Sequence, residues 1–173
     1  LVVGDYVVDK EDVPNELIYD HEADKNRVAD AFEYFGDKAE SYGRDYQDVK
    51  QLKYPANLYR LKIVEKLIKQ IEPKKILDIA TGTAEPLIAV KKMGFDIEGF
   101  DLSDLMLAQA KQNLEKNGMD PALVHKNDME NPVGLGEQSY ECLLALGAVY
   151  YARDFEKTMK EMTALLLPEG DFI

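Results

Sequence analysis

From residue 55 to the end of the chain, short apolar runs alternate with longer segments in which apolar residues recur every three or four positions. The runs predict buried strands, and the longer segments predict amphipathic helices. The predicted strands are 75–79, 95–100, 122–126, 140–146 and one from 171 onward, and the predicted helices are 57–72, 85–93, 104–117 and 155–166. This alternation with short connections is typical of an α/β fold with a doubly wound, mostly parallel sheet.

The residues before this pattern predict a separate N-terminal segment. A helix is expected from Asp24, where apolar residues again recur at helical spacing, and a polar, aromatic stretch follows at 41–46. We therefore divide the chain into residues 1–50, a helical segment that is expected to form a lid, and residues 51–173, the α/β domain. The alternative for the aromatic residues of this segment is that they anchor its helix to the sheet.

The predicted strand 75–79 leads into a turn of small residues. Asp78 interrupts an otherwise apolar run, and Ala80, Gly82 and Ala84 follow at alternate positions. Small side chains let backbone N–H groups approach a ligand at the start of the next helix, where Pro86 is typical of the first turn. Ala84 is expected to lie in that helix start, where alanine is a better helix former than glycine. The turn is therefore a candidate site for a polar small molecule.

Acidic residues stand at the carboxyl ends of three successive predicted strands: Asp78, Asp101 and Asp128. The carboxyl ends of parallel strands meet at one edge of the sheet, where ligands bind in such folds. Asp101, about twenty residues beyond the turn, is suited to accept hydrogen bonds from two ribose hydroxyls. The alternatives are that Asp101 only caps the following helix and that Asp128 is a surface-loop residue.

Four stretches resemble the motifs of the class I S-adenosylmethionine-dependent methyltransferases. The turn Asp78-Ile-Ala-Thr-Gly-Thr-Ala84 is similar to the first motif, with alanine at the first and third glycine positions. Residues 99–107, Asp128-Met129 and 145–151 resemble the second, third and fourth motifs. G-x-G-x-x-G is absent, which disfavours a dinucleotide-binding turn. The resemblance implies a Rossmann-like methyltransferase fold whose C-terminal strands are missing from this chain.

The resemblance also implies the cofactor, S-adenosyl-L-methionine, and the residues that bind it. In the family, the acid at the position of Asp101 binds the ribose, that of Asp128 accepts from the adenine amino group, and that of Asp78 lies near the amino acid end of the cofactor. The implied cofactor-binding residues are Asp78, Ala80, Gly82, Asp101, Leu102, Met106, Asp128, Met129 and Leu146. No catalytic residue is assigned, because methyl transfer depends on positioning and needs no fixed nucleophile.

The fourth-motif stretch, 145–151, lacks the Asn/Asp-Pro-Pro-Tyr sequence of enzymes that methylate amino groups of adenine or glutamine. The resemblance therefore implies methyl transfer to a nitrogen or oxygen of a small molecule. The candidate acceptor contacts are Tyr42, Tyr46, Tyr150 and Tyr151, with core packing as the alternative. Two other classes stay open: a non-catalytic cofactor-binding or scaffold domain, and a dinucleotide-binding oxidoreductase.

Charge and composition narrow the choice of partners. A formal net charge of −12 over 173 residues disfavours a nucleic-acid partner. One cysteine and two histidines cannot form a zinc cluster, so no metal is expected. No apolar run is long enough to span a membrane and the chain does not start with a basic signal-peptide segment, so a cytoplasmic location is expected. The sequence carries no signal for the oligomeric state.

Overall fold

The structure, a computed structural model, describes residues 2–3, 6–7 and 56–173. Two short strands, β1 (Val2–Val3) and β2 (Tyr6–Val7), pair in antiparallel fashion. The elements that follow are α1 (Ala56–Ile71), β3 (Lys75–Ile79), α2 (Glu85–Lys92), β4 (Asp96–Asp101), α3 (Asp104–Lys116), β5 (Val124–Lys126), β6 (Tyr140–Leu144), α4 (Phe155–Thr163) and β7 (Leu166–Phe172). The helix predicted from Asp24 lies outside the described residues.

Strands β3 to β7 form one parallel sheet in the order β5-β4-β3-β6-β7. The chain enters this sheet at its central strand, β3, and continues outward to β4 and β5. It then crosses to the other side of β3, where it forms β6 and β7. This order confirms the predicted doubly wound α/β fold. The strand order reverses between β3 and β6, and such a reversal opens a crevice at the carboxyl ends of the strands.

Helices cover both faces of the sheet, because successive residues of a strand point to opposite faces. On one face, Ile76 packs in a cluster with apolar residues of α1, α2 and α3. On the other face, Leu77 packs in a second cluster that includes Met162 of α4. Helices α2 and α3, which connect β3 to β4 and β4 to β5, therefore lie on one face of the sheet. Helix α4, which connects β6 to β7, lies on the other face.

The ends of the helices follow from local sequence. Ser103 caps α3 by accepting a hydrogen bond from the N–H of Met106, as its position predicts. Gly94 follows α2 with a φ of +96°, a left-handed conformation that favours glycine. Pro73 lies two residues beyond the end of α1, where a helix cannot continue.

Two strand boundaries differ from the prediction by two residues, whereas β4 begins and ends only one residue later than predicted. Residues 121–123 form a 3-10 turn instead of the start of β5, because the Asp120 carboxylate caps that turn by accepting from the N–H of Ala122. Strand β6 ends at Leu144 instead of Leu146, because Gly147 adopts a φ of +80° and the chain turns there. Leu146 therefore belongs to the loop at the carboxyl end of the sheet.

The bounds of the last helix and the last strand also differ from the prediction. Helix α4 ends at Thr163, not at residue 166, and β7 begins at Leu166, not at Asp171. Leu166 pairs with Tyr140 and Asp171 pairs with Cys142, so the residues between them bulge out of the sheet. The Pro-Glu-Gly sequence at 168–170 forms this bulge.

Candidate cofactor site

The crevice predicted by the strand order is present at the carboxyl ends of β3, β4, β5 and β6. It encloses about 1080 Å³, including space open to solvent, and is lined by residues 78, 80–82, 86, 100–103, 106, 127–130, 146–148, 151 and 153. The lining thus comes from the loops after four parallel strands. A crevice of this kind is the usual place for a nucleotide-like ligand in an open α/β sheet.

In the turn between β3 and α2, every second residue has a left-handed backbone conformation. Ala80, Gly82 and Ala84 have φ values of 52°, 57° and 68°. A left-handed conformation costs an L-residue roughly 1–2 kcal/mol, and only glycine avoids this cost. This conformation explains why the first family motif has glycines at these positions. In this chain, alanines at positions 80 and 84 adopt the same conformation.

Our prediction for Ala84 was wrong in its physical basis. Ala84 is the N-cap of α2 and not a helical residue, and it has a fully buried side chain that makes no capping hydrogen bond. Helix propensity does not apply at a left-handed N-cap. The turn is instead braced from α3, where Asn113 donates hydrogen bonds to the carbonyl of Thr83 (3.0 Å) and to Glu85 Oε1 (3.3 Å).

Asp101, at the end of β4, joins the first two motif-like stretches. One carboxylate oxygen accepts from the N–H of Gly82 at 2.9 Å, and the other accepts from the N–H of Ser103 at 2.8 Å. Burial raises the pKa of Asp101, while these N–H groups oppose that shift. A carboxylate has about four lone-pair directions. Asp101 is thus rigidly held and keeps acceptor capacity for two hydroxyl groups.

Asp78 is the most buried acid of the crevice, with 2% of its surface exposed. The hydroxyl of Thr81 donates to Asp78 Oδ2 at 2.6 Å. Burial raises the pKa of Asp78 to about 7, the Thr81 hydrogen bond opposes this shift, and the nearby Asp101 and Glu85 add to it. A positively charged group bound next to Asp78 would lower this pKa and favour the ionised carboxylate.

Asp128 lies in a tight loop after β5. Its Oδ1 accepts from the N–H of Glu130, and its own N–H donates to Asn127 Oδ1, both at 2.9 Å. These short-range bonds stabilise the loop, and residues 127–130 line the crevice. Met129, next in the chain, packs against the core cluster on the α4 face.

The loop after β6 forms the remaining wall of the crevice. Arg60 of α1 donates from Nη1 to the carbonyl of Leu146 at 2.9 Å. Arg153 joins this wall to the Asp128 loop, because its N–H donates to the Glu130 carboxylate and its Nε lies 3.9 Å from Glu130 Oε2. Among the described residues, Arg153 is the one basic side chain that lines the crevice.

All of the cofactor-binding residues implied by the sequence line this crevice: Asp78, Ala80, Gly82, Asp101, Leu102, Met106, Asp128, Met129 and Leu146. Among the acceptor candidates, Tyr151 lines it and Tyr150 does not. The hydroxyl of Tyr150 donates to that of Tyr151 at 3.2 Å, and Tyr150 is 53% exposed. Tyr42 and Tyr46 lie outside the described residues. Which of these residues bind a ligand stays a prediction.

Sequence reasoning missed several lining residues. Thr81 lies inside the first motif-like turn and Pro86 lies in the first turn of α2, so only their neighbours were assigned to the cofactor. Glu130 and Arg153 had no sequence signal, because they meet only when the loops after β5 and β6 fold over the same edge. Within the part of the chain that the structure describes, no group of three or more His, Cys, Asp or Glu residues is placed to hold a metal ion.

Residues 76–170 match the family described as the methyltransferase domain, more than half of the chain. YqeM of Bacillus subtilis, named as a methyltransferase, is 32% identical over 57% of this chain and 40% of the relative. Demethylmenaquinone methyltransferase of Thermus thermophilus is 30% identical over 58% and 46%. A tRNA (uracil(54)-C(5))-methyltransferase of Pyrococcus abyssi is 27% identical over 56% and 26%. The chain therefore spans about a quarter to a half of these relatives.

A solved structure of an S-adenosylmethionine-dependent methyltransferase from Thermotoga maritima has the same fold. Its TM-score is 0.60 at 24% identity, over 80% of this chain and 58% of that chain. The family match assigns the chain to the class I S-adenosylmethionine-dependent methyltransferases, and this likeness shows the shared fold. In residues 56–173 no helix is both long enough and apolar enough to cross a membrane. The cytoplasmic location stays a prediction.

Proposed function

We propose that this chain transfers a methyl group from S-adenosylmethionine to a nitrogen or oxygen atom of a small molecule. The observation that carries the proposal is the Asp101 carboxylate, which faces the crevice while the N–H groups of Gly82 and Ser103 hold both of its oxygens. A carboxylate fixed in this way suits a ribose diol, since its remaining lone pairs are already oriented.

The rest of the crevice fits the other parts of the cofactor. Leu102, Met106 and Met129 provide apolar surface for a flat ring, next to the Asp128 loop. Ala80 and Gly82 leave room for close approach of the backbone. The buried carboxyl of Asp78 is suited to an ammonium group at the amino acid end, because a cation there would offset the cost of its ionisation.

When bound, the cofactor would supply an electrophilic methyl carbon on a sulfonium, with the thioether S-adenosylhomocysteine as the leaving group. The chain contributes position and exclusion of water. Leu146 and Ala148 provide an apolar wall, and Tyr151 provides a hydroxyl at the same wall. We place the transferred methyl group at this wall, so that the wall borders the cofactor as well as the acceptor, and we retain Tyr150, Tyr42 and Tyr46 as further candidate acceptor contacts.

The relatives leave two classes of acceptor to compare, a small molecule and an RNA. The net charge of −12 favours the small molecule, because an RNA substrate requires basic surface for its phosphates. The acids that line the crevice, Asp78, Asp101, Asp128 and Glu130, have the same effect, since only Arg153 opposes them among the described residues. A small acceptor needs no such basic surface.

The domain division at residue 50 remains part of the proposal.

Two measurements test the proposal. Titration calorimetry with S-adenosylhomocysteine and with NAD should show binding of the first and none of the second, and Asp101→Asn should weaken that binding. Incubation with S-adenosylmethionine labelled in the methyl group, together with pools of amines, phenols and tRNA, should label a small molecule. Binding without transfer to any acceptor would favour a non-catalytic cofactor-binding domain. Preferential binding of NAD would favour a dinucleotide-binding oxidoreductase.

A further inference from the structure

Helix α1 lies outside residues 76–170, the part of the chain that matches the methyltransferase domain, yet one of its side chains reaches the crevice wall. The guanidinium of Arg60 donates from Nη1 to the carbonyl of Leu146 at 2.9 Å and from Nη2 to Asn57 Oδ1 at 2.8 Å. Asn57, one turn earlier on α1, thereby fixes the direction of the guanidinium. Planar, two-sided donation of this kind is a property of arginine that lysine does not share.

Gly147 is shaped to receive this guanidinium. Its φ of +80° is left-handed, and a Cβ built at this position would lie 2.5 Å from Arg60 Nη1. The place of a side chain at Gly147 is therefore taken by Arg60. The backbone conformation favours glycine here, and a Cβ at this position would fit only if the Arg60 guanidinium moved away.

The segment 146–148 has little else to hold it. The last sheet-type bonds before it join β6 to the end of the chain, where the N–H of Ala145 donates to the carbonyl of Ile173 at 2.8 Å. After that, the N–H of Gly147 bonds only locally, to the carbonyl of Ala145 at 3.0 Å. Among the described residues, the Arg60 bond is the one hydrogen bond that ties the backbone of 146–148 to a distant element.

We propose that Arg60 is a positioning residue that fixes the crevice wall at 146–148 and thereby sets the affinity for the cofactor. The inference rests on the proposed function, since it takes S-adenosylmethionine as the ligand of the crevice. Arg60 does not line the crevice itself. It acts through the backbone of Leu146 and Gly147, which do line it, so that the wall is already ordered before the ligand arrives.

The test compares four variants by titration calorimetry with S-adenosylhomocysteine, at a temperature where circular dichroism shows each to be folded. Arg60→Met keeps an unbranched apolar side chain and removes the guanidinium, and it should weaken binding by about three- to tenfold, because the ligand must then order the wall. Arg60→Lys should recover part of this loss. Gly147→Ala should resemble Arg60→Met, and Lys66→Met, on an exposed position of the same helix, should bind like the wild type.

The double variant Arg60→Met/Gly147→Ala makes the test more specific. Because both changes break the same contact, their effects on affinity should not add. Hydrogen exchange at 145–149 in the absence of ligand should be faster in Arg60→Met than in the wild type. Wild-type affinity in folded Arg60→Met, or unchanged exchange at 145–149, would overturn the inference. Absence of binding by the wild-type protein would instead count against the proposed function.

Discussion

Replacing alanine by glycine should have opposite effects on stability at two positions only nine residues apart. Ala80 and Ala89 are both half-buried, but Ala80 has a φ of 52° and Ala89 lies inside helix α2. At Ala89, glycine should lower the free energy of unfolding by about 1 kcal/mol, because it is a poor helix former. At Ala80, glycine relieves a left-handed alanine, which is worth about 1–2 kcal/mol.

Two losses reduce the gain at Ala80. The unfolded chain gains about 0.4–1 kcal/mol of conformational freedom, and a half-buried methyl group contributes about 0.4 kcal/mol. The expected net effect of Ala80→Gly is a stabilisation of about 0.5 kcal/mol, so the two variants should differ by about 1.5 kcal/mol. Ala84→Gly should be close to neutral, because Ala84 is also left-handed but its methyl group is fully buried.

Urea unfolding of the three variants measures these differences, with thermal unfolding as a second probe. A difference of 1.5 kcal/mol corresponds to roughly 3–6 °C in Tm for a domain of this size. Equal urea m-values would show that the variants unfold to the same extent, so that the midpoints can be compared. If Ala80→Gly is destabilised as much as Ala89→Gly, the left-handed geometry of the turn is wrong.

Further predictions concern the acids of the crevice and the N-terminal segment. Asp101→Asn should weaken S-adenosylhomocysteine binding by about 2–3 kcal/mol and also lower stability, because one of its two backbone N–H partners loses a charged acceptor; calorimetry and urea unfolding measure the two effects. The folded-state pKa of Asp78 is about 7 and its ordinary value is 3.8, so its contribution to stability is complete below pH 4 and is lost as the pH rises to 7. Relative to Asp78→Asn, the wild type should therefore lose up to about 4 kcal/mol between pH 4 and pH 8, and parallel pH profiles would refute the raised pKa. Tyr46→Phe should raise the KM for the acceptor and leave S-adenosylhomocysteine affinity unchanged; wild-type kinetics would exclude Tyr46 from the site.

The sequence predicted the fold where local patterns and tertiary packing agree. Strand β3 could be predicted as buried because its apolar residues pack on both faces, and Ser103 could be predicted as a cap because it directly precedes α3, where its hydroxyl accepts from an N–H of the first turn. Strand β7 was harder to predict. Its first residue, Leu166, continues the apolar stripe of α4, and only the pairing with Tyr140 reveals that it belongs to the sheet.

The candidate site likewise contains residues that the sequence predicts and residues that it does not. Asp78, Asp101 and Asp128 could be found because each lies at or just beyond the carboxyl end of a strand, and parallel strands bring these ends together. The conformation of Ala84 could not be found, because composition favours a helix start and the left-handed φ is set by the turn as a whole. Arg60 could not be found either. Its partner, Leu146, is 86 residues away, and no local pattern reports a contact at that separation.

The central claim is that S-adenosylmethionine binds across the carboxyl ends of β3, β4 and β5, in the crevice that Asp101 helps to form. Hydrogen exchange of the chain with and without saturating S-adenosylhomocysteine tests this claim most directly. Binding at this place should slow exchange at 79–86, 101–106 and 127–130, with the largest change at the N–H groups of Gly82 and Ser103, which donate to Asp101. Exchange that is unchanged in all three segments, or protection confined to another part of the chain, would contradict it.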